Sequence, residues 1–121
     1  MASWMVHLRI TDKLLDKISN LSFTEFVVGN IAPDSGIPND DWSVFTPSGY
    51  ISHFKTTDAD VLKDIHLNEY VEQFFTVDQR KQYNSKQKSF YLGYLTHLLT
   101  DILWANVIVR PLKINLSLYM I

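Results

Sequence analysis

Between Ser89 and Asn106 the chain reads SFYLGYLTHLLTDILWAN, a stretch too evenly apolar to lie on a surface. Phe90, Tyr91, Leu92, Leu95, Leu98, Leu99, Ile102, Leu103 and Trp104 leave it no broad polar side, which is the pattern of a helix covered by protein all round. The rest of the chain must therefore wrap around this segment. One stripe departs from the pattern. Gly93, His97 and Asp101 recur at i, i+4 and i+8, placing a small residue, an imidazole and a carboxylate on one line along the helix. A carboxylate buried among leucines is costly unless a cation or hydrogen-bond donors satisfy it. Two readings follow. Either His97 and Asp101 hydrogen-bond each other or a loop, or they hold a metal ion while Gly93 lets another segment approach closely.

Composition narrows the field. With 121 residues, 46% of them hydrophobic and 20% charged, the chain can build one core, and residues 1–121 are read as a single domain. A net charge of −2 gives no basic field of the kind that attracts polynucleotides. The absence of cysteine removes disulfides, thiolate zinc sites and thiol nucleophiles, leaving His, Asp and Glu as ligands. The opening MASWMVHLRITDK has no basic segment followed by a long apolar one, so a cytoplasmic protein is expected. The apolar run near residues 89–109 contains His97 and Asp101, which favours a core helix over a transmembrane segment.

Along the chain, Trp4 to Ser19 reads as an amphipathic helix with Trp4, Leu8, Leu14, Leu15 and Ile18 on its apolar side. His7 shares its direction with Leu14 and Ile18 and is expected to point inward. Ser22 and Glu25 fit a capping box that opens a short second helix, which Gly29 and Asn30 are suited to end. Residues 31–57 contain Pro33, Pro38, Pro47, Gly36 and Gly49, which exclude a long helix or central strand. Ile31, Ile37, Trp42, Val44, Phe45, Tyr50, Ile51 and Phe54 argue that this loop is ordered and packed on the helices. It offers Asp34 and His53 as candidate ligands, although Asp34 in Pro-Asp-Ser-Gly also reads as an ordinary turn residue. A third helix is expected from Ala59 to Phe75, capped by Asp58, with His66 on its solvated side. The polar stretch 78–88 reads as an exposed turn with a helical piece, and the central helix starts near Ser85 and stops at Pro111. The fold class is therefore all-α, a helical domain around one buried helix with a long ordered loop.

His7, Asp34, Ser52-His53-Phe54 and Phe90-Tyr91-Leu92-Gly93 followed by His97 and Asp101 stand in an order that resembles the bacterial zinc-dependent phospholipase C family. That fold is shared with the zinc-dependent single-strand nucleases. The resemblance implies that Asp34, His53, His97 and Asp101 bind one zinc, and that Asp101 bridges to a second zinc that His7 also ligates. There are departures. Secreted members offer an N-terminal Trp to the second metal, whereas Trp4 is internal here. A further zinc site of the family needs histidines after the bridging Asp, and ILWANVIVRP and all that follows contain none. The C-terminal part of the family fold is accordingly expected to be missing.

The expected chemistry is metal-dependent hydrolysis of a small phosphoester or phospholipid, with zinc or another divalent ion activating water and Asp34 as ligand and catalytic base. A nuclease-like activity, a non-catalytic metal-binding domain and a metal-free helical interaction module with a buried hydrogen-bond network remain as alternatives.

Overall fold

The computed structural model describes residues 2–55 and 65–113. Helix α1 spans Trp4–Lys17, and the Ser3 hydroxyl caps it by accepting the Val6 N–H. Helix α2 spans Phe23–Ile31 and runs into a 3₁₀ turn, Ala32–Asp34. Strands β1 (Ile37–Pro38) and β2 (Phe45–Thr46) form a small antiparallel hairpin. A single turn, α3, follows at Gly49–Ser52, then α4 (Leu67–Phe74), α5 (Val77–Gln82) and the long α6 (Ser85–Trp104). Beyond Trp104 the helix continues as a π-turn over Ala105–Val109 and stays helical to Lys113. The fold is all-α apart from the hairpin. The cap at Asp58, the start of the third helix at Ala59 and the tail after Lys113 lie outside the described residues.

The central helix is held against α2 by two glycines. A Cβ on Gly93 would sit 2.2 Å from the Phe26 carbonyl oxygen, and one on Gly29 would sit 2.0 Å from that of Phe90. Backbone meets backbone here, and no larger residue fits without parting the helices. Gly29 and Asn30 therefore pack α2 on α6, both buried, and the helix does not end at them. Its N-terminus also departs from the expected box. The Ser22 hydroxyl donates to Glu25 (2.5 Å), and the Ser22 N–H is taken by the Ser89 hydroxyl of α6 (2.9 Å). Complete capping boxes form instead at Thr76/Gln79 and Asn84/Gln87, opening α5 and α6.

Two interiors flank α6. Toward α4 lies an apolar one, with Tyr70, Phe75 and Leu98 buried and Phe54, Phe74, Tyr91 and Tyr94 packed on them. A wholly covered Leu98 contributes about 1.5–3 kcal/mol from burial alone. The phenols there are satisfied by carbonyls, Tyr70 to Tyr91 and Tyr83 to Phe74, each at 2.7 Å. Toward α1 and α2 the interior is polar, and it contains His7, Thr11, Asn30, His97 and Asp101.

Several sequence expectations need correction. Helix α1 buries His7 and Thr11 as its inward stripe, while Trp4, Leu8 and Ile18 remain over a third exposed. The central helix is not covered on every side: Leu99, Leu103, Val107 and Leu112 face outward. Pro111 does not stop the helix. The Arg110 N–H reaches back five residues to the Ala105 carbonyl, and this widened turn loosens the ladder ahead of a residue that cannot donate. His66 is half-buried at the N-cap of α4, with its Nε2 covered, because its backbone is tied to the Phe54 carbonyl (2.8 Å). The loop is ordered, but Ile37, Trp42, Val44, Phe45 and Ile51 stand exposed.

Candidate metal centre

Five residues from four parts of the chain meet beside α6. His7 comes from α1, Asp34 closes the 3₁₀ turn, His53 caps α3, and His97 and Asp101 lie one turn apart on α6. The two short elements are tied together before they reach the site. Pro33 at the start of the 3₁₀ turn is buried, and its carbonyl accepts the Ser52 hydroxyl at 2.7 Å. The Tyr94 hydroxyl of α6 in turn donates to the Ser52 carbonyl. Burial and the negative charge of Asp34 push the Tyr94 phenol up to about 12, so it remains a donor.

The ring orientations of His53 and His97 are fixed from behind. His53 Nδ1 lies 2.8 Å from the Gly49 carbonyl oxygen, and His97 Nδ1 lies 2.6 Å from that of Asn30. A carbonyl only accepts, so each Nδ1 carries the hydrogen and each Nε2 of the neutral ring presents a lone pair. Those two Nε2 atoms face each other at 3.2 Å. Asp34 Oδ1 stands 3.1 Å from His53 Nε2 and 3.6 Å from His97 Nε2, and Asp101 Oδ2 stands 3.5 and 3.2 Å from the same atoms. Two lone pairs and two anionic oxygens converge with no hydrogen among them.

This arrangement fits a divalent ion. A tetrahedron whose corners stand about 2.0–2.1 Å from its centre, the usual zinc distance, has edges of about 3.3–3.4 Å. The distances from each carboxylate oxygen to the two Nε2 atoms and between those nitrogens, 3.1 to 3.6 Å, scatter around that edge. Asp101 Oδ2 is a buried acceptor with no hydrogen-bond partner among the described residues, as expected of an atom meant for a cation.

His7 belongs to the cluster differently. Its ring stacks on that of His97 at 3.7 Å, and its Nε2 meets the other Asp101 oxygen, Oδ1, at 3.1 Å. The same oxygen accepts the Ala2 N–H at 3.0 Å. His7 Nδ1 is buried and has no hydrogen-bond partner among the described residues, so none of these selects a tautomer from behind the ring. Ligand atoms of His7, His97 and Asp101 form one compact group and those of Asp34, His53 and His97 another. The groups share His97, whose Nε2 has a single lone pair, so one ion at a time can use it.

Charge follows the same geometry. Burial works to raise the Asp34 carboxyl, but the adjoining His53 and His97 imidazoles outweigh it and hold the group below its usual range. Asp101 is lowered as well: burial opposes ionisation, and the hydrogen bond from His7 to Oδ1 together with the adjoining His97 imidazole overcomes it. Both are carboxylates at neutral pH. Asp34 is the accessible member, with 17% of its side chain exposed against 1–2% for the others. Asp34 is thus the member of the cluster that solvent touches.

All five candidates named from the sequence thus lie in one cluster. Sequence reasoning missed the Asn30 and Gly49 carbonyls, the Ala2 N–H and the Ser52–Pro33 link. Backbone acceptors leave no mark in side-chain spelling, and Asn30 read as a helix end. A family model described as zinc dependent phospholipase C matches residues 6–104, a span that includes all five. No curated protein and no solved structure matches the chain.

Proposed function

This chain belongs to the zinc dependent phospholipase C family, and from that premise we propose that it is a zinc-dependent hydrolase of phosphoesters, with Asp34, His53, His97 and Asp101 as the ligands of one ion. The observation that carries the reading is the 3.2 Å approach of two imidazole Nε2 atoms whose Nδ1 atoms are both committed to carbonyls. Without a cation that contact is repulsive, and with one it is a ligand pair. When bound, the ion supplies Lewis-acid activation of water and of a phosphoryl oxygen.

The chain's own groups do the rest. Asn30 and Gly49 hold the imidazoles in the ligating tautomer. Asp101 divides its charge, one oxygen toward the cluster and the other toward His7 and Ala2. Asp34, ionised and at the mouth, is placed both to ligate and to take a proton from an entering water.

A second reading has an observation of its own. Four protein ligands on one ion would leave a zinc site closed, and closed sites are commonly structural. Turnover separates the two. Protein purified without chelator should contain zinc at about one ion per chain, hydrolyse a chromogenic phosphodiester, and lose that activity on dialysis against chelator and regain it with Zn²⁺. Bound zinc without any turnover would leave the non-catalytic reading, and zinc-free protein that rejects added metal would remove both.

A further inference from the structure

Four buried polar atoms on the α1 and α2 side of α6 have no hydrogen-bond partner among the described residues: His7 Nδ1, Thr11 Oγ1 and both polar atoms of the Asn30 side chain. None is among the four proposed ligands of the ion. Their residues are 1%, 2% and 0% exposed, so bulk solvent does not satisfy them. Buried polar atoms are nearly always hydrogen-bonded, and four such atoms on three residues mark a place built for something polar.

The helices bring the three residues together. Helix α1 descends α6, since Ala2 and His7 meet Asp101 while Ser22, beyond the end of α1, meets Ser89. Helix α2 climbs α6 from there to His97, whose Nδ1–H the Asn30 carbonyl accepts. His97 joins the two sides: its edge bonds Asn30, and its face stacks on His7 at 3.7 Å, 5° from parallel. Thr11 lies on the same buried stripe of α1 as His7, about one 5.4 Å turn further along and so toward Gly93, where the Asn30 backbone closes in.

Thr11 departs from the other hydroxyls of the helices. Ser89 donates to the Ser85 carbonyl, Thr96 to Leu92 and Thr100 to Thr96, at 2.7–2.8 Å. Bonding the carbonyl four residues back is the usual way to satisfy a helical hydroxyl. Thr11 does not bond the His7 carbonyl in this way, and its hydroxyl stays available to a third group.

The count of donors and acceptors chooses the occupant. The Asn30 amide offers an oxygen that only accepts and an NH₂ that only donates, and the Thr11 hydroxyl does either. A cation would satisfy the oxygens and leave the NH₂ orphaned, and an anion would do the reverse. Water donates and accepts, and a buried water typically makes about three hydrogen bonds. It also suits His7. A carbonyl behind Nδ1 demands N–H, whereas water meets Nδ1 as donor or acceptor and steadies the ring without selecting its tautomer.

We propose that Thr11 and Asn30 hold ordered water behind His7, and that Thr11 is a positioning residue acting on Asp101 through this water and the His7 ring. The line runs from Thr11 through water to His7 Nδ1, and from His7 Nε2 to Asp101 Oδ1. It goes beyond the phosphoester hydrolase reading and does not rest on it, because each contact is made by groups of this chain with or without turnover.

Crystal structures of the full chain and of Thr11→Val test this, together with long-range ¹H–¹⁵N spectra of the histidine rings. Wild type should show water within about 3.2 Å of His7 Nδ1, Thr11 Oγ1 and a polar atom of the Asn30 side chain. Thr11→Val keeps the shape and drops the hydroxyl; it should lose that water and displace the His7 Nδ1 resonance while His53 and His97 keep theirs. Thr11→Ser should restore both. A Thr11 that only fills space would not give a shift confined to His7 and reversed by serine. A wild-type interior without water, a side chain bonded directly to His7 Nδ1, a metal ion in that position, or His7 resonances equal in wild type and Thr11→Val would each overturn the proposal. Should Thr11→Val fail to fold, the wild-type and Thr11→Ser structures decide by the same water. Failure of the protein to turn over a phosphodiester would sink the hydrolase reading and leave this one standing.

Discussion

His53 and His97 on one side of the cluster and His7 on the other are all buried imidazoles with a carboxylate within reach, yet the chain treats them differently. Each of the first two has a carbonyl behind its Nδ1, so the ligating nitrogen is selected before any ion arrives. His7 has Asp101 in front and, among the described residues, no hydrogen-bond partner behind. Among protein groups, its ring is positioned by stacking on His97 and by Asp101 alone. The difference teaches that burial and proximity do not make a ligand; the polar group at the back of the ring prepares it. On this account the chain is preorganised for one ion, and the His7 side supports Asp101.

Metal content gives the largest contrast between the two sides. His97→Ala removes the residue common to both groups of ligand atoms, and zinc in the purified protein should fall to background. His7→Ala should retain about one zinc per chain, with affinity lowered no more than about tenfold, the low end of what a supporting partner is worth. Elemental analysis with a competitive chelator titration checks both. Equal losses in the two variants would erase the distinction.

Gly93→Ala sharpens the comparison from a distance. The added Cβ would meet the Phe26 carbonyl at 2.2 Å and the Asn30 N at 2.9 Å, so α2 must move off α6. Overpacking of this kind costs about 1–3 kcal/mol. It also carries the Asn30 carbonyl away from His97, so a lowered melting temperature should come with zinc affinity reduced about 10–100-fold. A variant that melts lower but binds zinc as tightly as wild type would detach the glycine contact from the site.

The sequence was most informative where periodicity and chemistry coincide. Gly93, His97 and Asp101 are legible because helical spacing puts them on one line, and the inward direction of His7 follows from the same angular argument through Leu14. His53 and Asp34 could be named as candidates in the loop, but joining them to His97 and Asp101 needed the resemblance, since loop residues have no period. The exposed apolar sides were misread for a physical reason. An apolar residue at helical spacing is read as inward, but at Trp4, Leu103 and Trp42 the residue type does not say which surface covers it. Pro111 was misread because a widened turn absorbs its missing donor. Ser22 and Glu25 matched a local motif, and a tertiary bond from Ser89 displaced half of it.

The central claim is that His53 and His97 are held as Nδ1–H tautomers with their Nε2 atoms aimed at one ion. Long-range ¹H–¹⁵N correlation spectra of the histidine rings, recorded at neutral pH during a Zn²⁺ titration, test it directly. The account predicts that His53 and His97 keep Nδ1–H throughout and that their Nε2 resonances alone take up the shifts of metal ligation, saturating together at one equivalent, with His7 changing least. Ligation through Nδ1 of either ring, or saturation of His7 ahead of His53 and His97, would contradict it.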